Sequence, residues 1–511
     1  MKKQQFDPIE DQDKIAVRQK ILPPLDEETR SALKNIVGTS GLFDSFPDRL
    51  SYCRDRLPLT TFRLRSGKIP ASLPCAIVQP KSEDELTRVL TFANNRNLAV
   101  IPYGAGSGVL GGAISICGEV IIDLKKFVAA PIIDFENCMV TVPAGVNGGV
   151  FEEFLNNAGY TCGHHPQSLF MSTVGGWIAC RGAGQMSSRY GKIEDMVLGI
   201  RAILPNGKIL DIKPVSRRAV GPGVMDFLVG SEGTIAILTQ ATLKIWKLPE
   251  NRLPSVVAFP TLDDGLNAMR EIMQSDIRPS VARLYDEHES QEKAHDSVDL
   301  STNPIMCILE FVGSPPLVEV EASIGLKICR QHSAIILGNE SFSKWQESRF
   351  NSYSAKFHAE GGYVETIEVT GLWSKIPMLY AAIKLEIQKL DRRILFGAHW
   401  SHIYAEGACQ YMTFKIPDLG DEATALELHL SIWRTVQELT LEHGAAIAHH
   451  HGVGLFRTPW IEKELGGGLE VIEAVKRGLD PNNILNPGKI FEPYIVWQKT
   501  PEKVQLPWDH K

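Results

Sequence analysis

The 511-residue sequence lacks the cysteine spacing that a disulfide framework or a structural zinc site requires. Its nine cysteines, at 53, 75, 117, 138, 162, 180, 307, 329 and 409, are odd in number, and no two stand as C-x-x-C. That usage fits a reducing cytoplasm. No apolar run approaches the roughly 18 residues of a membrane span. The opening MKKQQFDPIEDQDK is charged where a secretory signal would be apolar, and the closing PWDHK is no peroxisomal address. A formal net charge of −7 gives no basic face for nucleic acid. The 44% apolar fraction is that of a globular protein, and the length suits two or three domains.

Glycine is abundant, and it is clustered. Ile101–Ala113 reads IPYGAGSGVLGGA, a loop whose amides a ligand can approach closely. Gly106, Gly108 and Gly111 fit G-x-G-x-x-G, but the context of a dinucleotide fingerprint is missing. That motif needs a helix after it. Here a helix at Ser82–Asn95 and a strand at Leu98–Ile101 precede the loop, and another strand, Val120–Leu124, follows. The order argues against a nicotinamide site and leaves two readings, a different phosphate cradle or a tight turn with no ligand.

Two further runs are poor in periodicity and rich in small residues. One spans Gly163-His-His-Pro-Gln-Ser168, Ser172-Thr-Val-Gly-Gly-Trp177 and Arg181-Gly-Ala-Gly184; the other is Gly230-Ser-Glu-Gly-Thr234. Such surfaces offer donors with little bulk and suit a polyphosphate or a sugar. Between them, short β-branched runs alternate with helices. Ser82 and Glu85 form a capping box, Asn147 caps a helix to Ala158 with Val150, Phe151, Leu155 and Ala158 on one face, and Pro205-Asn-Gly207 joins two strands. We expect a helical lead-in at 1–70 without recognisable chemistry, a ligand domain at 71–250, an α+β domain at 251–440 and a closing segment at 441–511.

Three glycine and hydroxyl clusters between Pro102 and Leu238, with Asn486-Pro-Gly-Lys489 near the end, resemble the vanillyl-alcohol oxidase family of flavoproteins. The resemblance covers about residues 70–495. It implies an α+β fold, a two-subdomain PCMH-type FAD-binding domain plus an α+β substrate (cap) domain with an antiparallel sheet. It implies FAD held by Pro102, Tyr103, Gly104, Ala105, Gly106, Ser107 and Gly108; by Gln167, Ser168, Ser172 and Thr173; by Cys180, Arg181, Gly182 and Ala183; and by Glu232, Gly233 and Ile237. Within that family, Gly407-Ala-Cys-Gln-Tyr411 and His449-His-His-Gly-Val-Gly454 are similar to the alkylglycerone-phosphate synthases. The hydroxyacid dehydrogenases of the family carry a metal-binding histidine near Tyr411, so the tyrosine argues against them.

The synthase resemblance implies a flavin that does no net redox work while the acyl chain of acyl-dihydroxyacetone phosphate is exchanged for a long-chain alcohol. Tyr411 would act as general acid or base, and a neighbouring cation would be needed to lower its pKa from near 10. His449, His450 and His451 would position substrate and assist proton transfer. Arg217 and Cys409 match active-site positions, and Arg283 matches the substrate-binding arginine. We expect no metal, because consecutive strand residues point to opposite faces; His399 and His402 form only a weak H-x-x-H. His164 and His165 are expected as structural contacts near the flavin. The alternative is an FAD-dependent oxidase or dehydrogenase of a 2-hydroxy acid or other alcohol. The partners expected are a small lipid or hydroxy-acid substrate, a second copy in a homodimer, and a membrane at its surface only.

Overall fold

The computed structural model describes residues 25–58, 60, 73–351, 362–416 and 422–491. Three main sheets organise them. The first holds β1 (Leu42–Phe43), β2 (Ala76–Val78), β3 (Val100–Tyr103) and β4 (Val120–Asp123) in the order β1-β2-β4-β3. Strands β2 and β3 run parallel to β4, and β1 is an antiparallel edge. Parallel strands covered on both faces read as unbroken apolar runs; Ala76, Ile77 and Val78 are buried, as are Val120, Ile121 and Ile122. Helix α1 (Glu27–Val37) packs on α2 (Glu83–Asn95), which crosses from β2 to β3. The expected capping box is half formed. Ser82 Oγ accepts from Glu85 N at 3.2 Å, but Glu85 accepts from Lys81 N, one residue further back.

The second sheet is antiparallel, with β5 (Ile132–Asp134), β6 (Met139–Pro143), β7 (Val197–Ile203), β8 (Ile209–Ile212) and β9 (Ile237–Lys244) in the order β5-β6-β9-β7-β8. Helices α3 (Gly148–Asn157) and α4 (Val174–Ala179) accompany it. Asn147 caps α3 as expected, accepting from Gly149 N at 2.9 Å. The buried face of α3 differs from expectation. Val150 is exposed, and Glu152 is buried beside Phe151 and Leu155 because it accepts from Thr161 and Cys162.

The third sheet is antiparallel throughout and has seven strands. They are β10 (Asn251–Phe259), β11 (Val281–Tyr285), β12 (Ile305–Gly313), β13 (Ile335–Leu337), β14 (Tyr363–Leu372), β15 (Leu395–Ile403) and β16 (Gly407–Ile416), ordered β13-β10-β12-β11-β15-β16-β14. Helices α5 (Leu262–Gln274) and α6 (Pro315–Gln331) pack on its β10–β12 half; α7 (Ile376–Leu390) and α8 (Glu422–Glu442) pack on its β14–β16 half. Side chains alternate along a strand. Ala282, Leu284, Ile367, Ala398, Trp400, Met412 and Phe414 therefore join one apolar core. Their neighbours Arg283, Glu368, His399 and Tyr411 point to the other face.

The closing segment ties back to the first sheet. Val100 N donates to Ile484 O at 2.7 Å, and Asn486 N donates to Val100 O at 2.8 Å. Helix α9 (Gly467–Leu479) supplies buried Lys476, whose Nζ reaches Asp480 Oδ2 at 2.5 Å, Thr234 O at 2.9 Å and Leu485 O at 2.9 Å. Asp480 in turn accepts from Ile484 N and Leu485 N. Asp480→Ala strands a buried ammonium, so it is expected to cost about 3–5 kcal/mol. The check is a lower denaturant midpoint at unchanged slope.

Candidate active site

The glycine loop leaves the C-terminal end of β3, where open parallel sheets bind ligands. There it meets the start of α4 and the Gly230–Thr234 run. Together they line one cleft. Two glycines have a specific reason to be glycine. A Cβ on Gly104 would collide with Thr173 Oγ1, and Gly106, at φ +61°, would collide with the Tyr103 phenol. The cradle is thus built from bare backbone. Asn486 Nδ2 staples two of its walls, donating to Gly112 O at 2.9 Å and Glu232 O at 2.8 Å.

At the mouth of this cleft lies the loop His449–Gly454. It enters beside β14, where Ala446 N donates to Thr370 O at 2.8 Å, and leaves beside the glycine loop, where Leu455 N donates to Leu110 O at 2.8 Å. Buried Glu368 of β14 accepts from His449 N at 2.5 Å, His451 N at 2.8 Å and Arg457 Nη1 at 2.8 Å. From the opposite side, Glu232 accepts from Val453 N at 2.6 Å and Gly454 N at 3.0 Å. His451 is thereby set on the cleft wall.

The polar face of the seven-stranded sheet fills the remaining side. Tyr411 stands opposite His399 on β15 and opposite Glu368 on β14. Its ring stacks on His399 at 4.8 Å, and it meets His450 at 6.0 Å and His451 at 5.5 Å. His449 and His450 share an Nδ1–Nδ1 hydrogen bond of 2.9 Å, Tyr404 Oη pairs with His449 Nε2 at 2.9 Å, and Ser187 Oγ pairs with His402 Nδ1 at 2.7 Å. Cys409 Sγ lies 4.0 Å from His450 Nδ1. Residues 449–451 are not a strand, so the alternation argument against convergence does not apply to them. Ring nitrogens of His402, His449 and His450 do lie within 4.8 Å of one another, and several of them already hold the hydrogen bonds just given.

Residues 74–213 match a family model described as FAD binding domain, and residues 248–490 match FAD linked oxidases, C-terminal domain. The sequence is 32% identical over 436 residues to an uncharacterised FAD-linked oxidoreductase of Escherichia coli K12, covering 82% of this chain and 89% of that one. The chain belongs to the FAD-linked oxidases. It is also 30% identical over 478 residues to the alkyldihydroxyacetonephosphate synthase of Trypanosoma brucei brucei, covering 87% of this chain and 77% of that one. The fold of a solved alkyldihydroxyacetonephosphate synthase superposes with a TM-score of 0.76 at 24% identity, over 91% of this chain and 85% of that one. This FAD-linked oxidase is therefore a PCMH-type flavoprotein related to those synthases, and its cofactor is FAD.

The cleft fits that cofactor, with a backbone cradle at one end and a buried carboxylate oxygen without a partner, Asp55 Oδ2, on its wall. Of the residues expected to hold FAD, Pro102, Gly104, Ala105, Gly106, Ser107, Gly108, Thr173, Cys180, Glu232 and Gly233 line it. Tyr103, Gln167, Ser168, Ser172, Arg181, Gly182, Ala183 and Ile237 are not among the residues that line it. Tyr103 packs on Tyr52; Gln167 donates to Asn351 O; Ser172 ties Trp177 Nε1 to Ser168 O; Arg181 donates to Val229 O; Ile237 is core. Asp55 was not expected, since its segment shows no motif. It is buried against the glycine loop, where Arg56 N donates to Gly108 O at 2.8 Å. Arg217 is exposed on the connection after β8 and is not among the described residues that meet at the histidine loop.

Burial decides the protonation of the site. It pushes the Tyr411 phenol up to about 12, outweighing Thr366 and Arg283, which pull it down. Tyr411 is thus held as a protonated donor. Burial also lowers the histidines: His399 and His451 to about 4, His164 and His429 to about 3, and His402, His449 and His450 well below 6.5. Each binds its proton in the unfolded chain near pH 6.5 but not in the folded one, so its stabilisation is lost as pH falls below about 6.5. Burial raises Glu232 and Glu365 to about 7 and Asp55 and Asp286 to about 6, and these act in the opposite sense. The histidines are more numerous, so the unfolding temperature and flavin retention are expected to fall together between pH 6.5 and 4.5. Thermal melts and flavin fluorescence across that window check this; a rise on acidification would show that the carboxyls dominate.

Proposed function

We propose that this FAD-linked oxidase is an alkylglycerone-phosphate synthase-like transferase. It would exchange the acyl chain of acyl-dihydroxyacetone phosphate for a long-chain alcohol, making an ether. The observation that carries the reading is the pairing of a protonated Tyr411 with a fixed guanidinium, Arg283, on one sheet face beside three neutral imidazoles. Likeness to the trypanosome synthase supports it.

In this reading the Pro102–Gly108 run, Thr173, Cys180, Glu232 and Gly233 hold FAD, which supplies the reactive ring. Arg283 takes the substrate phosphate, because a planar fork of donors matches an oxyanion. Its Nε is buried without a partner. The acyl chain leaves as a carboxylate anion, and Tyr411, still protonated, donates a hydrogen bond to its departing oxygen. His450, neutral and half-buried, accepts the proton of the incoming alcohol. Cys409 packs against His450. A homodimer, peripheral membrane contact and a cytoplasmic location belong to the same proposal.

A second reading is an oxidase or dehydrogenase of a 2-hydroxy acid or other alcohol. The family of FAD-linked oxidases supports it, and Arg283 suits a carboxylate as well as a phosphate.

Anaerobic incubation of the flavoprotein with acyl-dihydroxyacetone phosphate and hexadecanol separates the two. Ether detected by mass spectrometry without lasting bleaching is the expected result. Bleaching by D-lactate or glycolate with no ether would replace the first reading by the second. Tyr411→Phe, which removes only the phenolic proton, is expected to lower turnover by at least about 100-fold. FAD content should be unchanged, as absorbance at the flavin bands would report.

A further inference from the structure

Arg283 does not stand alone on its strand. Its Nη2 lies 2.7 Å from His399 Nε2. A guanidinium only donates, so His399 Nε2 must be an acceptor, and the ring's proton must sit on Nδ1. That nitrogen lies 2.8 Å from Glu289 Oε2, and the other oxygen of Glu289 accepts from Thr413 Oγ1 at 3.0 Å. Glu289 and His399 are both buried. The donor–acceptor order is therefore fixed from end to end: Thr413 to Glu289, His399 to Glu289, Arg283 to His399. The stacked Tyr411 ring covers His399 at an interplanar angle of 18°, so the imidazole has little room to turn.

The arrangement has two consequences for Arg283. One corner of its fork is spent on His399. The Nε–H is buried without a hydrogen bond, and the guanidinium lies 5.5 Å from the Tyr285 ring centroid.

The geometry points to Glu289 and His399 as positioning residues that lock the Arg283 guanidinium into one orientation as the seat of the substrate's oxyanion, a phosphate ester or a carboxylate. The inference rests on the proposed role of Arg283 and deepens it. Glu289 selects the Nδ1–H tautomer, the tautomer presents a lone pair to Nη2, and that contact turns the remaining donors toward the ligand. Orientation held by a neutral ring adds no second cation beside the anion, and it costs the arginine none of its charge. Burial, together with the nearby Arg283 charge, lowers His399 to about 4 and keeps the ring neutral at working pH.

The test is a mutant cycle on the FAD-loaded full chain, read by calorimetric titration with inorganic phosphate and, separately, with D-lactate. His399→Leu removes the acceptor and His399→Gln keeps one. Glu289→Gln removes the charge that selects the tautomer, and Arg283→Lys removes the fork. The lock predicts that His399→Leu and Glu289→Gln each weaken anion binding on the order of tenfold, that His399→Gln stays near wild type, and that His399→Leu/Arg283→Lys is no weaker than Arg283→Lys alone. Flavin content and melting temperature serve as fold controls. If His399→Leu fails to hold FAD, the Glu289→Gln and Arg283→Lys cycle decides. Losses that simply add, or wild-type binding in Glu289→Gln and His399→Leu, would overturn the lock while leaving Arg283 as the anion seat. Arg283→Lys binding both anions like wild type would remove the seat itself. Preference for phosphate or for D-lactate in the wild type assigns the oxyanion to a phosphate ester or to a hydroxy acid.

Discussion

Six residues of irregular backbone, His449–Gly454, carry the imidazoles, and two buried carboxylates hold them in place. Buried backbone donors must be met. Here Glu368 meets those of His449 and His451 from the cap sheet, and Glu232 meets those of Val453 and Gly454 from the FAD-binding side. The loop is a rivet between two domains that share no strand. The two clamps are unequal. Burial pushes Glu368 up, but Arg457, His451 and the backbone donors outweigh it and hold it below the usual carboxylate range. At Glu232 burial outweighs the backbone donors of Val453 and Gly454 and the charges of Arg457 and Lys489, lifting it to about 7. One clamp stays ionised; the other sits at the edge of titration.

The charges around the loop explain why so many histidines crowd together. Lys192 Nζ donates to His449 O at 2.6 Å, Arg457 lies behind Glu368, and Arg283 lies across the sheet. A protonated imidazole here would join three cations in a medium that screens poorly. Neutral rings can instead pass hydrogen bonds to one another. With the Tyr404 hydroxyl donating to His449 Nε2, the proton of His449 sits on Nδ1 and points at His450 Nδ1. The remaining proton of His450 is then on Nε2. The opposite order, with His449 Nε2 donating to Tyr404 and His450 Nδ1 donating to His449, satisfies the same contacts, and either order keeps the cluster free of charge.

Much of this was legible in the sequence, for reasons that differ by residue. The glycine runs announce the cleft because a backbone cradle excludes side chains, and that exclusion is written in composition. The apolar strands were readable from β-branched runs. Ser172 and Arg181 share the motif's composition, and their side chains hydrogen-bond to Trp177 and Val229; a linear motif does not say which of its residues line the cleft. Asp55 was invisible because it reaches the cleft from a segment with no pattern of its own. Glu289 and Glu368 were invisible for a different reason. Each is one acid on an ordinary element, and its partner lies on another strand or loop, 110 residues away for His399 and 81 for His449.

The protonation of Tyr411 bears most directly on chemistry. Motif likeness alone allowed an acid or a base. As a base the phenol would need a cation strong enough to pull it down toward neutrality; Arg283 pulls in that direction but is spent on His399 and is outweighed by burial. A phenol held near 12 keeps its proton beside a departing carboxylate, whose conjugate acid is far stronger, and serves it as a hydrogen-bond donor. The imidazoles, held below their ordinary pKa, are correspondingly weak bases that are always ready to accept. Donor and acceptors are neighbours, the donor on strand β16 and the acceptors on the clamped loop. Such a pairing suits a reaction in which one oxygen leaves as another arrives. A simple oxidation has need of the acceptor alone, so the retained, half-buried phenol is the feature that tips the proposed chemistry toward exchange.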